Sequence, residues 1–319
     1  MRFERFDQAM LAQEAPRIAV LLPCRDEEAA IAATVTGFRT ALPSAAIYVF
    51  DNASTDATAE VAARAGAIVR REPRPGKGNV VRRMFSDIDA DIYVLADGDL
   101  TYDAGAAPDM IARLRADGLD MVVGTRRHTD AAAYRRGHRF GNRLLTGLVQ
   151  RIFGRRFEDM LSGYRVFSRR FVKSFPATSH GFEIETELTV HALQMRLPAG
   201  EMATDYAARP ENSASKLSTY RDAVRIVRTI GLLAKEERPM AVFGLAALAL
   251  LLPSTAMFVS VLVDFLETGL VLRFPTLIVA IGGFGLATMS FGCALILDSL
   301  ARSRREARHA VYLQHAAPR

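Results

Sequence analysis

The sequence predicts an α/β fold with a mostly parallel, doubly wound sheet, followed by two transmembrane helices. Three observations carry that prediction. Short apolar runs alternate with helical patterns from residue 17 onward, the spacing of strand and helix units in a parallel sheet. Several of those runs stop at loops rich in Asp and Glu, as happens at the carboxyl edge where open α/β sheets bind ligands. Residues 240–263 and 274–297 are each 24 residues without a charge, each ~36 Å long as a helix and enough to cross a hydrocarbon core of roughly 30 Å.

Taken in order, Ile-Ala-Val-Leu-Leu-Pro23 is the first strand, Cys24, Arg25, Asp26, Glu27 and Glu28 make an acidic loop, and a helical pattern runs to Arg39. The second strand, at 46–50, ends at Asp51-Asn-Ala-Ser54-Thr-Asp56, whose Ser, Thr and Asp side chains suit the cap of a helix starting near Ala57. A third strand at 67–71 leads through Gly76-Lys77-Gly78 to a helix predicted over 80–88. The fourth run, at 92–96, stops at Asp97-Gly98-Asp99. Two hard carboxylates one residue apart can share a divalent cation whose other ligands are water and phosphate oxygens, although Asp-Gly-Asp is also ordinary turn chemistry. Gly76-Lys77-Gly78 lacks the spacing of a Walker loop, which argues against ATP hydrolysis. Its glycines would let backbone approach a ligand closely, and Lys77 is one of only four lysines in the chain.

Beyond Gly124 the chain turns basic, with Arg126, Arg127, Arg135, Arg136, Arg139 and Arg143. The segment 140–153 has a helical apolar face with arginine flanks, which suits either a core-facing helix or one lying on anionic lipid. Glu158 and Asp159 precede Ser162-Gly163-Tyr164-Arg165 and a strand ending near Phe167. Glu183, Glu185 and Glu187 open a further helix, where acids complement the helix dipole. A polar loop carrying Arg209 and Lys216 leads into an amphipathic helix with Arg221, Arg225 and Arg228 on one face. Pro253 is expected to kink the first apolar helix. Lys235 and Arg238 precede the two spans and Arg302, Arg304, Arg305 and Arg308 follow them, which by the positive-inside rule puts the large domain and the carboxyl tail in the cytoplasm.

A net charge of +6 suits a polyanionic ligand or an anionic bilayer. Zinc-ligand spacing, helix-turn-helix pattern and RNA-binding aromatics are all missing, which excludes nucleic acid as the expected partner. Cys24 and Cys293 make no disulfide framework, and residues 1–13 lack a signal-peptide core.

Pro23-x-x-x-Glu27, Asp51-Asn-x-Ser54-x-Asp56-x-Thr58, Gly76-Lys77-Gly78, Asp97-x-Asp99, Gly124-x-Arg126, Ser162-Gly163-Tyr164-Arg165 and Ser215-Lys216-Leu217 occur in order along the chain. In this the sequence resembles the family-two glycosyltransferases of Rossmann-like GT-A fold, and within them the polyprenyl-phosphate glycosyltransferases related to dolichyl-phosphate mannose synthase. The resemblance covers roughly residues 17–238. It implies a nucleotide-sugar donor held by Pro23, Glu27, Asp51, Lys77, Asp97, Arg209 and Lys216, Mg²⁺ or Mn²⁺ on Asp97 and Asp99, and acceptor phosphate on Arg126, Arg135 and Arg136. Asp159 would face the sugar, and Asp97, Asp99, Asp159 and Arg126 would form the catalytic set. Arg25-Asp26, Gly98 and Thr101 depart from the commoner residues of that family.

The implied organisation is an extension at 1–16, a catalytic domain at 17–214, a juxtamembrane amphipathic helix at 215–239, two spans at 240–298 and a basic tail at 299–319. The expected activity is inverting transfer from a UDP-sugar, or from GDP-mannose, to a polyprenyl phosphate at the cytoplasmic membrane, with homo-oligomerisation left open. The alternatives are transfer to another acceptor and a non-catalytic sugar-nucleotide-binding protein. A phosphate monoester is largely dianionic at neutral pH, so such an acceptor attacks without a general base. Processive polymer synthesis is disfavoured by the complete lack of Trp.

Overall fold

The computed structural model describes residues 15–128, 147, 149–151, 154, 157–209 and 219–318. The chain forms two compact units, Met1–Ile226 with Ala310–Arg319, and Val227–His309. In the first, strands β1 (Ile18–Cys24), β2 (Ala46–Asp51), β3 (Ile68–Arg71), β4 (Ile92–Leu95), β5 (Met121–His128), β6 (Arg165–Ser168) and β7 (Ala199–Tyr206) make a sheet of order β3-β2-β1-β4-β6-β5-β7. Pairing is parallel throughout except for β6, which runs antiparallel to both β4 and β5.

Side chains alternate faces along a strand, and both faces of this sheet are covered. On β1 and β4, Ala19, Leu21, Tyr93 and Leu95 join the core under α3 (Lys77–Asp87), α5 (Arg169–Ser174) and α6 (Ile184–Gln194). Val20, Leu22, Ile92 and Val94 join the opposite core under α1 (Glu28–Ala41), α2 (Thr58–Arg64) and α4 (Ala107–Ala116). Burial on both faces is why these strands read as unbroken apolar runs. The register pairs Cys24 with Asp51 and Leu21 with Leu95, so the loops after β1, β2 and β4 open at one edge. The strand order reverses between β1 and β4, a topological switch point.

Three elements differ from expectation. Helix α3 starts at Lys77, three residues before the predicted start, because Gly76 at φ 125° turns the chain directly into it. Strand β7, Ala-Gly-Glu-Met-Ala-Thr-Asp-Tyr, was not foreseen: it lies at the sheet edge, is mostly half-exposed and carries no apolar run. Helix α9 (Phe274–Leu313) continues past the apolar stretch through the arginines assigned to a tail. The segment 140–153 falls largely outside the described residues.

Beneath the sheet, the fully buried Asp120 accepts hydrogen bonds from Ser168 Oγ at 2.6 Å, Arg170 Nη2 at 3.0 Å and the Tyr312 hydroxyl at 2.9 Å. The Arg170 guanidinium lies 4.7 Å from the centre of the Tyr312 ring, a cation–π contact.

The second unit holds α8 (Pro239–Thr268) and most of α9, both long and apolar enough to cross a membrane. Helix α8 runs unbroken through Pro253. Ala247, Ser254 and Val261 on α8, and Ala280, Ala287, Ala294 and Ala301 on α9, are buried at heptad spacing, the period of a left-handed helix–helix seam. Ser290 Oγ donates to the Phe243 carbonyl at 3.0 Å, and Phe258 meets Phe284 edge-on at 6.0 Å. Helix α7 (Thr219–Glu237) precedes α8.

Candidate active site

The loops at the switch point are joined before any ligand enters. Ser54 Oγ accepts from the Asp26 amide at 2.9 Å, Asp26 Oδ1 from the Thr55 amide at 2.7 Å, and Thr58 Oγ1 from the Glu27 amide at 2.8 Å. The two helix starts cap each other: Asp56 Oδ2 accepts from the Glu28 amide at 3.2 Å and Glu28 Oε2 from the Ala57 amide at 3.1 Å. Asp56 thus serves the helix starts, as its Ser/Thr/Asp cluster suggests, and Asp26 ties the two loops together. Asn52 bonds the Glu72 and Arg74 carbonyls at 2.9 and 2.7 Å and receives the Gly76 amide at 2.7 Å. It thereby fixes the turn that delivers Lys77.

Around Asp97 and Asp99 lies a compact set of alternating charges. Lys77, with 9% of its side chain exposed, bonds Asp97 and sits 2.6 Å from Glu185 Oε1. Burial opposes its charge, yet Asp97 and Glu185 hold the ammonium above its ordinary range. Asp99 is buried; Thr101 donates to its Oδ1 from Oγ1 at 2.5 Å and from its amide at 3.2 Å, and Arg209 pairs with Oδ2. Burial and the neighbouring Asp97 push the Asp99 carboxyl up, while Arg209 and Thr101 pull it back. Arg209 also lies 3.8 Å from Glu27. These six side chains carry two more negative charges than positive ones, the balance a divalent cation offsets.

Asp159 takes a two-pronged bond from Arg126, Nε at 2.8 Å and Nη2 at 2.7 Å, the geometry that favours Arg over Lys. Its loop is held from β7, where the Glu201 carboxylate receives the Glu158 and Asp159 amides at 2.8 and 3.1 Å. Arg165 is wholly buried; Nη2 reaches the Met160 carbonyl at 2.5 Å and Nε the Ser162 carbonyl at 2.9 Å, and burial pulls the guanidinium down to about 10. Gly163 donates its amide to the Tyr102 hydroxyl at 2.9 Å. A Cβ at Gly163 would stand 2.9 Å from Asp97 Oδ2 and 3.0 Å from Lys77 Nζ.

Of the residues expected in the site, Glu27, Lys77, Asp97, Asp99 and Arg209 come together in one charge network. Asp51 is buried at the end of β2 with Oδ1 lacking a hydrogen-bond partner among the described residues. Pro23 lies on β1, paired with Phe50. Arg126 and Asp159 form their own pair on the β5 side. Arg135, Arg136 and Lys216 lie outside the described residues. Glu185 is the residue the sequence reading missed. It is not one of three dipole acids, because it is buried against Lys77, whereas Glu187 receives the Thr178 and Ser179 amides, each at 2.8 Å. The signal available was the scarcity of lysine, since a buried ammonium requires a carboxylate from somewhere.

Among the described residues no three metal-ligating side chains converge. Asp97 and Asp99 are nevertheless a fitting set for Mg²⁺ or Mn²⁺, which are held by one or two carboxylates and completed by water and phosphate oxygens.

Residues 19–175 match the family model described as glycosyl transferase family 2. The glycosyltransferase AglJ of Haloferax volcanii is 35% identical over 229 residues, 71% of this chain and 75% of the relative. The chain belongs to glycosyl transferase family 2. It shares 26% identity over 222 residues with a dolichyl-phosphate hexose transferase of the same organism, 69% of this chain and 95% of that protein. Its fold matches glucosyl-3-phosphoglycerate synthase from Mycobacterium tuberculosis, solved with Mn²⁺, UDP-glucose and phosphoglyceric acid. The TM-score is 0.58 and the identity 23%, over 69% of this chain and 80% of that one. This family 2 glycosyltransferase thus has a GT-A-like sheet with carboxylates gathered at its switch point.

Proposed function

We propose that the protein transfers a sugar, with inversion, from a nucleoside-diphosphate sugar to a polyprenyl phosphate at the cytoplasmic membrane, UDP-sugars being the favoured donors. The observation that carries this is the similarity, over 69% of this chain and 95% of the relative, to a dolichyl-phosphate hexose transferase in a chain whose two carboxy-terminal helices are long and apolar enough to cross a bilayer. The Mn²⁺ and UDP-glucose in the related fold support the donor class.

Glu27 and Asp51 would bind the nucleoside, with the orphaned Asp51 Oδ1 as an acceptor for base or ribose. Asp97 and Asp99 would hold Mg²⁺ or Mn²⁺, which when bound supplies positive charge for the leaving nucleoside diphosphate. Arg209 would release Asp99 for the diphosphate and, with Lys216, add fixed charge where negative charge develops. Arg126, Arg135 and Arg136 would seat the acceptor phosphate, and Asp159, which pairs with Arg126, would face the sugar. The nucleophile is already ionised, so no side chain need remove a proton. Residues 17–214 would form the catalytic domain, 215–239 the juxtamembrane amphipathic segment, 240–298 the spans and 299–319 a basic cytoplasmic tail.

The test is transfer from labelled UDP- and GDP-sugars to undecaprenyl phosphate by the full chain in detergent with Mg²⁺ or Mn²⁺. A chloroform-soluble, acid-labile product that is lost in Asp99→Ala is expected. Donor turnover onto a different acceptor, with none onto polyprenyl phosphate, would overturn the proposal.

A further inference from the structure

We propose that Glu185 is a positioning residue of the transfer site: its carboxylate anchors Lys77, so the ammonium stays in place when Asp97 turns to the donor and its cation. This role rests on Asp97 and Asp99 being the donor and cation ligands proposed above.

The two carboxylates that share Lys77 are unequal. Asp97 is 28% exposed at its side chain and Glu185 only 7%, so an arriving ligand reaches the first and not the second. Asp97 stands in the loop after β4, whereas the backbone of Glu185 is braced within its helix. Its carbonyl accepts from Arg165 Nη2 at 3.1 Å and from Thr189 Oγ1 at 3.0 Å, and Arg165 is itself braced on Met160 and Ser162. Glu185 Oε2 has no hydrogen-bond partner among the described residues, which leaves Lys77 as the ion-pair partner of this carboxylate.

A cation on Asp97 weakens the Lys77–Asp97 attraction and repels the ammonium. A buried ammonium with no carboxylate left is driven out of its site. Glu185 removes that conflict. With Glu185 present, Lys77 can yield Asp97 and remain as a positive group beside the donor. With a neutral residue at 185, Lys77 depends on Asp97 alone and competes with the cation for it.

The experiment uses the full chain in detergent and needs no acceptor. Mn²⁺ binding is followed by electron paramagnetic resonance and UDP binding by calorimetry, for the native protein and for Glu185→Gln, Glu185→Asp, Lys77→Met, Lys77→Met/Glu185→Gln and Asp99→Ala. Glu185→Gln is expected to weaken Mn²⁺ binding about tenfold, roughly 1.4 kcal/mol, and Glu185→Asp to recover part of it. The double variant, which has no ammonium to compete for Asp97, is expected to bind Mn²⁺ at least as well as Glu185→Gln but, lacking the Lys77 charge, to bind UDP more weakly than the native protein. In transfer assays Glu185→Gln raises the donor KM more than it lowers kcat. Native Mn²⁺ affinity in Glu185→Gln, or losses that simply add in the double variant, overturns the proposal. Native Mn²⁺ binding in Asp99→Ala removes the cation site on which it rests. Failure of transfer to polyprenyl phosphate alone, with the binding pattern as expected, counts against the acceptor and not against Glu185.

Discussion

Gly163 is the residue whose replacement most directly tests the packing of the charge cluster. A methyl group at Gly163→Ala would stand 2.9 Å from Asp97 Oδ2 and 3.0 Å from Lys77 Nζ, so these side chains must part by a few tenths of an ångström. The expected outcome is a donor KM raised about tenfold, roughly 1.4 kcal/mol, with little change in thermal midpoint, measured by steady-state kinetics and a melt. Arg126→Lys should cost more than its conserved charge implies, because Lys cannot make the two-pronged bond to Asp159; a tenfold or greater fall in kcat/KM is expected, about 1.4 kcal/mol. At this scale the sequence is readable where chemistry is local. Asp97 and Asp99 announce themselves by standing at the end of an apolar run. Glu185 does not, because its partner Lys77 lies more than a hundred positions away and only the fold brings them within 2.6 Å. Tyr102 is hidden for the same reason, its hydroxyl meeting the amide of Gly163 across the sheet edge.

The reciprocal caps of α1 and α2 decide how firmly the first two loops are held. Burial pushes the Asp56 carboxyl up, but hydrogen bonds from the Thr58 hydroxyl, the Thr58 amide and the Glu28 amide more than offset it and leave it below its ordinary 3.8. A lowered carboxylate stabilises the fold fully above its unfolded value and loses that contribution as pH falls through the folded one. Asp56→Ala is therefore expected to cost at most about 1 kcal/mol near neutrality, since the carboxylate is exposed and its charge is screened, and its deficit against the native protein should shrink in acid below 3.8, as read by thermal melts across pH. In the helical hairpin, Ala287→Leu inserts bulk into the heptad seam and is expected to cost ~1–3 kcal/mol, seen as loss of detergent-resistant folding. Strands β1, β2 and β4 are legible because burial on both faces makes them apolar throughout. Strand β7 is not, since an edge strand with one partner can be built from Glu, Thr and Asp. The antiparallel insertion of β6 between β4 and β5 leaves no local mark either.

Over the whole molecule, segments far apart in sequence meet at Asp120. The carboxylate is buried completely, and Ser168, Arg170 and Tyr312 together satisfy it. Tyr312→Phe removes one charge-assisted hydrogen bond and is expected to lower stability by ~1–3 kcal/mol, while Tyr312→Ala also removes the ring under Arg170 and should lower it further; melts of the full chain decide both. Tyr312 follows Asp120 by 192 residues, and both apolar helices lie between them. On the ribosome, then, Asp120 has only Ser168 and Arg170 until translation has passed both of those helices. The Asp120 carboxylate of a nascent chain is thus one hydrogen bond short of its final set until both apolar helices have been made.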